Sequence, residues 1–309
     1  MRIFITGGHG FLGTSLVSRL RGHGHECHAP TSRECNLLNP QDLQRLPKGH
    51  FDRIFHLAAW TQAGDFCLRH PGEQWIINQK LNTHLLDWWL NDQPQARLIF
   101  MGTSCAYSPD SELSEPHYMT GEPIESLYTY AMTKRMLLQG ARAISRQYGL
   151  KWLCAVPSTL YGPNYHTDGR QMHFIFDLVR KILRGKHYGE PVVLWGDGYQ
   201  RRELVYVDDF IDALGTVTDR IEDDLINIGS GQDYQIREFA DAICGAVGFD
   251  ASSIQYDVTR YVGAQSKKLA IERLLSLYPD YKRQQVPLAE GLRRVVAWFE
   301  REKAYGSPT

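Results

Sequence analysis

Four side chains able to move or stabilise a proton lie in the middle of the chain: Thr103, Cys105, Tyr130 and Lys134. Tyr130 and Lys134 are four residues apart, so a helix places them on one face. A phenol with a pKa near ~10 is a weak acid or base at neutral pH. We expect the Lys134 ammonium to stabilise the phenolate and lower the pKa of Tyr130. Thr103 follows the apolar run 97–101 and is expected to donate a second hydrogen bond to the same substrate oxygen.

A glycine-rich turn follows the first apolar run of the chain. Residues 2–5 read as a strand, 6–13 read TGGHGFLG, and a helical pattern begins at residue 11. Glycines three residues apart in this context let the backbone approach a pyrophosphate, which binds the free N–H groups of the helix start. The alternative is a tight turn without a ligand, and the context favours a dinucleotide. The expected cofactor contacts of this turn are Gly7, His9, Gly10, Phe11 and Leu12.

The exit of the second strand indicates which cofactor is bound. A free ribose 2′-hydroxyl usually pairs with an acidic residue at this position, but here the chain reads APTSR over 29–33. Ser32 and Arg33 suit a 2′-phosphate, and His9 adds a further contact, so the sequence favours NADP over NAD. The alternative is that Glu34 takes the ribose and Arg33 is a solvated surface charge. The remaining expected cofactor contacts are Asn36 and Leu37 at the adenine, Leu57, Ala58, Ala59 and Pro157 where later strands end, and Tyr130 and Lys134.

Short apolar runs alternate with longer helical patterns along the first half. The predicted strands are Arg2–Thr6, His25–Ala29, Arg53–Leu57, Arg97–Gly102 and Lys151–Val156, and the predicted helices lie near 11–22, 73–91 and 126–148. This alternation is typical of a parallel sheet with helices on both faces. The sequence therefore predicts an α/β fold with a Rossmann-type doubly wound parallel sheet.

The second half is expected to form a smaller mixed α/β domain. Helices are predicted near 171–184, 205–218, 235–247 and 288–302, with a strand at Leu225–Ile228. We assign 1–158, with about 204–228, to the NADP-binding domain, and 159–203 with 229–309 to a substrate domain. Open parallel sheets bind ligands at the carboxyl ends of their strands, so the cleft is expected between the two domains.

Composition excludes several classes of function. The 309 residues are 43% apolar and 22% charged, with a net charge of −1, which gives no general attraction for nucleic acid or anionic membranes. No apolar run approaches the ~20 residues of a membrane span, and because a strand is predicted from Arg2 no signal peptide is expected. Six cysteines without a CxxC pair indicate reduced thiols, so a cytoplasmic location is expected. The cluster His23, His25, Cys27 and His28 alternates over two strand faces, so no metal site is expected.

The constellation Thr103…Tyr130-x-x-x-Lys134 resembles that of the extended short-chain dehydrogenase/reductase family of nucleotide-sugar epimerases, dehydratases and reductases. The resemblance covers essentially the whole chain and includes the glycine turn, Asn78 in a helix and the LYGP turn over 160–163. Within this family, the chain is most similar to the enzymes that epimerise and reduce GDP-4-keto-6-deoxy-mannose. Four matches carry that similarity: GTSCAY over 102–107, Met172-His173 before an apolar helix, SRECNLLN over 32–39, and PSTLYGP over 157–163.

The resemblance implies that Cys105 and His173 are the base and acid of an epimerisation. Their ordinary pKa values, near ~8.5 and ~6.5, suit proton transfer at neutral pH. Taken alone, each residue is more simply explained by a structural role. The resemblance also implies a homodimer and NADPH-dependent reduction of the 4-keto group. The expected substrate contacts are Thr159, Asn164, Lys181, Trp195, Arg202 and Lys267.

Three departures from the family pattern bear on the substrate. Thr159 stands where the family usually has Asn, and Ala270 replaces a common Asp. Ser104 and Cys105 occupy the places where sugar dehydratases carry Asp-Glu, which counts against dehydration. The sugar is left open, including a heptose. Reduction without epimerisation and NAD-dependent 4-epimerisation are the alternatives, whereas a dinucleotide-binding protein without chemistry is disfavoured because Tyr130 and Lys134 are both present.

Overall fold

The computed structural model describes residues 1–260 and 265–307. Within these residues the strands form three sheets. The strands are β1 (Arg2–Thr6), β2 (Glu26–His28), β3 (Arg53–His56), β4 (Arg97–Met101), β5 (Trp152–Pro157), β6 (Thr159–Tyr161), β7 (Val193–Trp195), β8 (Arg201–Tyr206), β9 (Asp224–Ile228), β10 (Asp233–Gln235) and β11 (Gln255–Asp257).

Helices cover the sheets and connect the strands. They are α1 (Phe11–Gly22), α2 (Pro40–Gln44), α3 (Phe66–Arg69), α4 (Pro71–Asp92), α5 (Tyr128–Tyr148), α6 (Phe174–Tyr188), α7 (Val207–Thr218), α8 (Ile236–Val247), α9 (Glu272–Leu277), α10 (Tyr281–Gln284) and α11 (Leu288–Glu302). No helix in the described part of the chain has the length and apolar character needed to cross a membrane.

The large sheet has the strand order β2-β1-β3-β4-β5-β9, and every pairing in it is parallel. Its strands are short apolar runs such as RIFIT and RLIFM, which are buried on both faces because helices lie above and below. The strand order reverses between β1 and β3, so the crevice above this point is the expected cofactor position. The predicted doubly wound α/β fold is confirmed.

Two apolar clusters form the interior. The first surrounds the large sheet and contains Trp88 and Trp89, which are buried; the Trp89 indole N–H donates to the Ala96 carbonyl oxygen at 2.8 Å. The second lies among α6, α8, α11 and the small sheets. Residues 269–281 belong to the first cluster through Leu269 and Tyr281, although the predicted division assigns 229–309 to the substrate domain.

Several predicted helix starts differ from the structure by one to three residues, and two of these differences have a clear structural reason. The helix predicted from residue 205 begins at Val207, because Val205 and Tyr206 complete β8 by pairing with Leu160 and Tyr161 of β6. A β-branched and an aromatic residue favour that pleated environment. The helix predicted from 171 begins at Phe174, because the backbone of His173 is extended (φ −61°, ψ 150°) and forms the N-cap.

Candidate active site

The glycine turn after β1 is shaped by contacts that leave no room for side chains. Gly7 has φ +69°, and a Cβ there would lie 2.8 Å from the backbone nitrogen of Ala58. Gly10 caps α1, and its N–H donates to the Gly7 carbonyl oxygen at 3.0 Å. A Cβ on Gly13 would overlap that same oxygen. The turn therefore presents backbone N–H groups of a helix start beside the end of β3, an arrangement that fits a pyrophosphate.

The loop after β2 is arranged in a way that fits a 2′-phosphate. His9 Nε2 lies 3.0 Å from the Ala29 carbonyl oxygen, which brings the glycine turn against this loop. The Glu34 carboxylate folds back onto its own turn and accepts from the Thr31 N–H (2.8 Å) and hydroxyl (2.9 Å). These hydrogen bonds lower the pKa of Glu34, and Arg33 remains exposed.

The other predicted cofactor contacts lie around the same crevice. Ser32 and Asn36 are exposed, and Leu37 is buried with its carbonyl oxygen 2.7 Å from His84 Nδ1. Phe11 packs edge-on against Tyr165 and Phe176 and so joins the two apolar clusters. The half-buried residues of this group are Leu12, Leu57, Ala58, Ala59 and Pro157.

Thr103 is positioned by a short 3-10 helix over 104–106 that directly follows β4. Its hydroxyl accepts from the Cys105 N–H at 3.2 Å, and its own N–H donates to the Tyr118 hydroxyl at 3.2 Å. The Thr103 side chain also hydrogen-bonds the Tyr130 phenol. Thr103 therefore links the thiol-bearing turn to the phenol on α5.

The ionisation of Tyr130 differs from the sequence-based expectation. Burial raises the pKa of Tyr130, and the neighbouring thiols of Cys105 and Cys67 raise it further, while the hydrogen bond to Thr103 opposes the rise. The Lys134 ammonium lies 5.9 Å from the centroid of the Tyr130 ring, and its charge does not outweigh the effect of burial on the phenol pKa. Burial lowers the pKa of Lys134 to about 8. Because its own pKa is raised, Tyr130 is a protonated phenol at neutral pH and is suited to donating a proton.

A buried polar chain, which the sequence did not reveal, connects β1 and β3 to α5. The His56 ring is fully buried, with Nδ1 2.8 Å from the Thr6 hydroxyl and Nε2 3.1 Å from Asn82 Oδ1. Burial and the Lys134 charge lower the pKa of His56 to about 4, so the ring is neutral. Asn82 donates onward to the Thr133 carbonyl oxygen at 3.4 Å, and the Thr6 hydroxyl accepts from the Ala58 N–H.

Asn78 occupies the buried position that the resemblance implied. Its Oδ1 accepts from the Trp60 N–H at 2.9 Å, and its Nδ2 donates to the Trp60 and Gln74 carbonyl oxygens at 2.9 and 2.8 Å. Two of these hydrogen bonds fix the loop after β3, and the third holds the amide to its own helix, α4. Asn78 therefore positions the loop beside the crevice.

Cys105 and Lys267, 162 residues apart in sequence, are in direct contact. The Lys267 ammonium donates to the Cys105 sulfur at 3.0 Å. Burial alone would raise the pKa of the thiol, but the Lys267 charge and the hydrogen bonds from Thr103 and Lys267 outweigh it and lower the pKa. The sequence pointed to both residues but gave no sign that they are paired.

His173 caps α6 at the edge of the same cleft. Its N–H donates to the Tyr165 hydroxyl at 3.3 Å. The ring is accessible to solvent, yet the dense protein around the cleft and the positive charges of Lys267 and Arg202 lower the pKa of His173 to about 4. Lys267 therefore acts electrostatically on both Cys105 and His173.

A small pocket lies beside these residues, lined by Ser104, Ser158, Thr159, Arg202, Glu203, Lys267 and Leu269. Glu203 is buried at 2% exposure, and its carboxylate accepts from the N–H groups of Gly231 (2.7 Å) and Leu269 (2.9 Å). Burial raises the pKa of Glu203 to about 7. Its role was not predicted; the signal in the sequence is a carboxylate directly before the apolar residues Leu204 and Val205 of a strand.

The remaining predicted substrate residues differ in their exposure and contacts. Trp195 is 57% exposed at the end of β7, with the Arg260 guanidinium 5.5 Å from its ring, so it is not a core residue. Lys181 donates to the Val193 carbonyl oxygen at 3.2 Å and pairs with a carboxylate of its own helix. Asn164 is exposed with φ +67°. Among the described residues, no cluster of three or more His, Cys, Asp or Glu is arranged to hold a metal ion.

Comparison with known proteins identifies the family. The model of the NAD dependent epimerase/dehydratase family matches residues 3–229, which include the glycine turn and the Thr103–Tyr130–Lys134 set. The chain belongs to this family. Membership agrees with the resemblance read from the sequence and makes the protein an enzyme of the NAD dependent epimerase/dehydratase family.

Three similar proteins span nearly the whole chain. A GDP-L-colitose synthase from Yersinia pseudotuberculosis is 28% identical, covering 98% of this chain and 99% of its own. GDP-L-fucose synthase 1 from Arabidopsis thaliana is 28% identical over 96% of this chain and 93% of its own. The structure of a GDP-L-fucose synthetase from Naegleria fowleri bound to NADP superposes with a TM-score of 0.86, at 22% identity, over 98% of this chain and 93% of that one.

Proposed function

We propose that this enzyme reduces the 4-keto group of a GDP-linked 4-keto-6-deoxy-sugar with NADPH and also epimerises the sugar at C3, C5 or both. One observation carries the proposal: the Lys267–Cys105 pair lies beside the Thr103 and Tyr130 hydroxyls at the mouth of the crevice. A base next to a carbonyl-binding pair is the equipment that epimerisation beside a ketone needs. The names of the similar synthases support a GDP-linked sugar.

NADP is the proposed cofactor because of the loop after β2. Arg33 and Ser32 are accessible, while Glu34 is engaged with Thr31 and so is not oriented toward a ribose hydroxyl. Arg offers a planar fork that matches phosphate oxygens. The Naegleria fowleri enzyme solved with NADP bound supports the same choice. When bound, NADPH supplies the hydride that reduces the carbonyl carbon.

In the reduction, Tyr130 donates its proton to the carbonyl oxygen and Thr103 donates a hydrogen bond to the same atom. Tyr130 suits this role because its raised pKa keeps the phenol protonated at neutral pH. Lys134, with a pKa of about 8, remains largely cationic at neutral pH and stabilises the phenolate that forms. The second proposed role of Lys134 is to bind a hydroxyl of the nicotinamide ribose.

In the epimerisation, the Cys105 thiolate removes the C–H proton beside the ketone. The C–H electron pair moves into an enolate, whose oxygen is held by Tyr130 and Thr103. His173 returns a proton to the opposite face, which requires its protonated form. The diphosphate of the substrate, paired with Arg202 and Lys267, offsets the cations that lower the pKa of His173 and so favours that form.

The proposed substrate contacts follow from charge and exposure. Arg202 and Lys267 line the pocket and suit a diphosphate, and Thr159 lines the same pocket near the sugar. Trp195 presents an exposed aromatic face on which a guanine base can stack. We place Lys181 and Asn164 at the rim of this nucleotide site.

Two other reactions remain as second candidates, each tied to an observation. Reduction alone would leave Cys105 as a structural thiol, and its half-buried position is compatible with that role. An NAD-dependent 4-epimerase would retain its cofactor through each turnover, which the same glycine turn would permit. Dehydration is disfavoured, because Ser104 and Cys105 replace the acid pair that dehydratases carry after the catalytic Thr.

A substrate and cofactor panel tests the proposal. Purified enzyme is mixed with GDP-4-keto-6-deoxy-mannose and either NADPH or NADH, and cofactor oxidation is followed by absorbance. We expect rapid oxidation of NADPH, slower oxidation of NADH, and weaker turnover of the dTDP-linked analogue. Protein that carries stoichiometric NAD and consumes no added NADPH would contradict the proposal and favour the 4-epimerase.

A further inference from the structure

The contact between Lys267 and Cys105 is more specific than general positive charge near a diphosphate. The ammonium nitrogen is 3.0 Å from the sulfur, and the hydrogen bond is partly buried. The thiol is presented by the 3-10 turn that Thr103 caps. A lysine serving only to bind phosphate would not need to donate to a thiol.

We propose that Lys267 holds Cys105 as a thiolate in the free enzyme, so that Lys267 is the residue that activates the base of the epimerisation. The catalytic meaning of this ion pair rests on the proposed function, whereas the ion pair itself does not. The proton lost by the thiol passes to solvent, and the thiolate later takes the C–H proton and becomes a thiol again.

Lys267 is held at the sulfur by contacts of its own backbone with β8. The Glu203 N–H donates to the Lys267 carbonyl oxygen at 3.3 Å, and the Arg201 N–H donates to the Gln265 carbonyl oxygen at 2.8 Å. The Glu203 carboxylate accepts from the Leu269 N–H at 2.9 Å, two residues further on. The backbone is therefore fixed on both sides of Lys267. This fixes the position from which the Lys267 side chain extends to the Cys105 sulfur.

The groups that act on Cys105 come from several elements. The Tyr130 phenol on α5 and the Cys67 thiol on α3 are neutral, and Thr103 contributes a hydroxyl. Lys267 is the cation that opposes burial at the sulfur. The same charge disfavours protonation of His173. Lys267 therefore makes the two proton-transfer residues unequal, favouring an anion at Cys105 and a neutral ring at His173.

The test is the pH dependence of Cys105 alkylation by iodoacetamide, without substrate or cofactor. Labelling is assigned by mass spectrometry and by comparison with Cys105→Ser. We expect the midpoint in the wild-type protein to lie below that of an ordinary thiol. In Lys267→Met the midpoint should rise by about one unit or more, with about ten-fold slower alkylation near neutral pH. The neighbouring exposed residue provides the control, Lys268→Met, which should leave the midpoint unchanged.

An unchanged midpoint in Lys267→Met would overturn the inference. Lys267→Arg keeps a cation at the same position and should retain most of the rapid alkylation. If Lys267→Met fails to fold by circular dichroism, the ultraviolet titration of thiolate absorbance in wild type against Cys105→Ser decides instead, and a midpoint at the ordinary thiol value would refute the ion pair. Neither measurement uses a sugar substrate. The ion pair can therefore be confirmed or refuted even if the proposed reaction is not observed.

Discussion

The cofactor crevice and the substrate cleft are built in different ways. The centre of the crevice is one short run of sequence: the glycine turn over 6–13 caps α1 and packs by its backbone against the end of β3. The cleft brings together Cys105, His173, Arg202 and Lys267, which lie on four separate segments. Its properties come from side-chain charges and not from backbone shape.

This difference predicts different sensitivities. A backbone site fails when a side chain intrudes, because the atoms around Gly7 cannot move without disturbing β3. A charge-based site fails when a charge is removed, and its failure should show in pH profiles and in proton transfer more than in folding. Each prediction below tests one side of this contrast.

Tyr130→Phe should have the largest effect. The phenol is the proposed proton donor, and removing a general acid lowers the rate by roughly 10²–10⁴-fold. NADPH oxidation with the keto-sugar is the measurement, and NADPH binding should be retained. Tyr128→Phe, two residues earlier and 39% exposed, is the matched control and should keep full activity. An active Tyr130→Phe enzyme would remove Tyr130 from the reaction.

Gly7→Ala tests the backbone site. The added Cβ would lie 2.8 Å from the Ala58 nitrogen at φ +69°, which costs about 1–3 kcal/mol and should weaken NADPH binding by at least ~10-fold. Gly22→Ala is the control, because nothing lies within 4 Å of a Cβ at that position. Fluorescence titration with NADPH and thermal unfolding measure both effects. Equal behaviour of the two variants would contradict the packing argument.

Arg33→Ala tests the cofactor choice. A hydrogen bond to a charged group contributes about 1.5–3 kcal/mol, so the affinity for NADPH should fall by ~10-fold or more. The affinity for NADH should be unchanged, since NADH lacks the phosphate. Arg45→Ala, at a 76% exposed side chain directly after α2, is the control. An equal loss for both cofactors would assign Arg33 another role.

Glu203→Gln should produce the smallest and most specific change. The pKa of Glu203 is raised from 4.5 to about 7 in the folded protein, so the folded state binds this proton more tightly than the unfolded chain does. Its stabilising contribution is present below the unfolded pKa and is lost as the pH rises through 7. The loss is about 1–3 kcal/mol between about pH 5 and pH 8.

Urea unfolding at several pH values measures that loss. The free energy of unfolding of the wild-type protein should decline across this window more steeply than that of Glu203→Gln. Burial raises the pKa of the Asp209 carboxyl to about 6. Asp209 therefore lowers the free energy of unfolding of both proteins as the pH rises. Glu302→Gln, at an exposed carboxylate, should follow the wild type. Parallel curves for wild type and Glu203→Gln would contradict the assignment.

The contrast also explains what the sequence could predict. The glycine turn, the strands of the large sheet and the helix carrying Tyr130 and Lys134 follow from local spacing, and the structure agrees with them. The short strands β6 and β8 were missed because three to six residues that pair across the chain carry little local pattern. Their pairing also moved the start of α7 from 205 to 207.

Ionisation was the least predictable property. The expected lowering of the Tyr130 pKa was wrong, since burial raises the pKa of Tyr130 and lowers that of Lys134. The Lys267–Cys105 contact joins residues 162 positions apart, and no spacing rule connects them. The His56–Asn82 chain is equally hidden, because a buried neutral histidine and a core histidine with another role look the same in sequence.

The most direct test of the proposed epimerisation and reduction is the reaction in D₂O with NADPH and GDP-4-keto-6-deoxy-mannose, followed by mass spectrometry of the product sugar. We predict a reduced product that carries solvent deuterium on sugar carbons next to the former ketone, with one NADPH consumed for each product. In Cys105→Ser we predict reduced product with little carbon-bound deuterium. A wild-type product that is reduced but contains no carbon-bound deuterium would contradict epimerisation and leave a plain 4-ketoreductase.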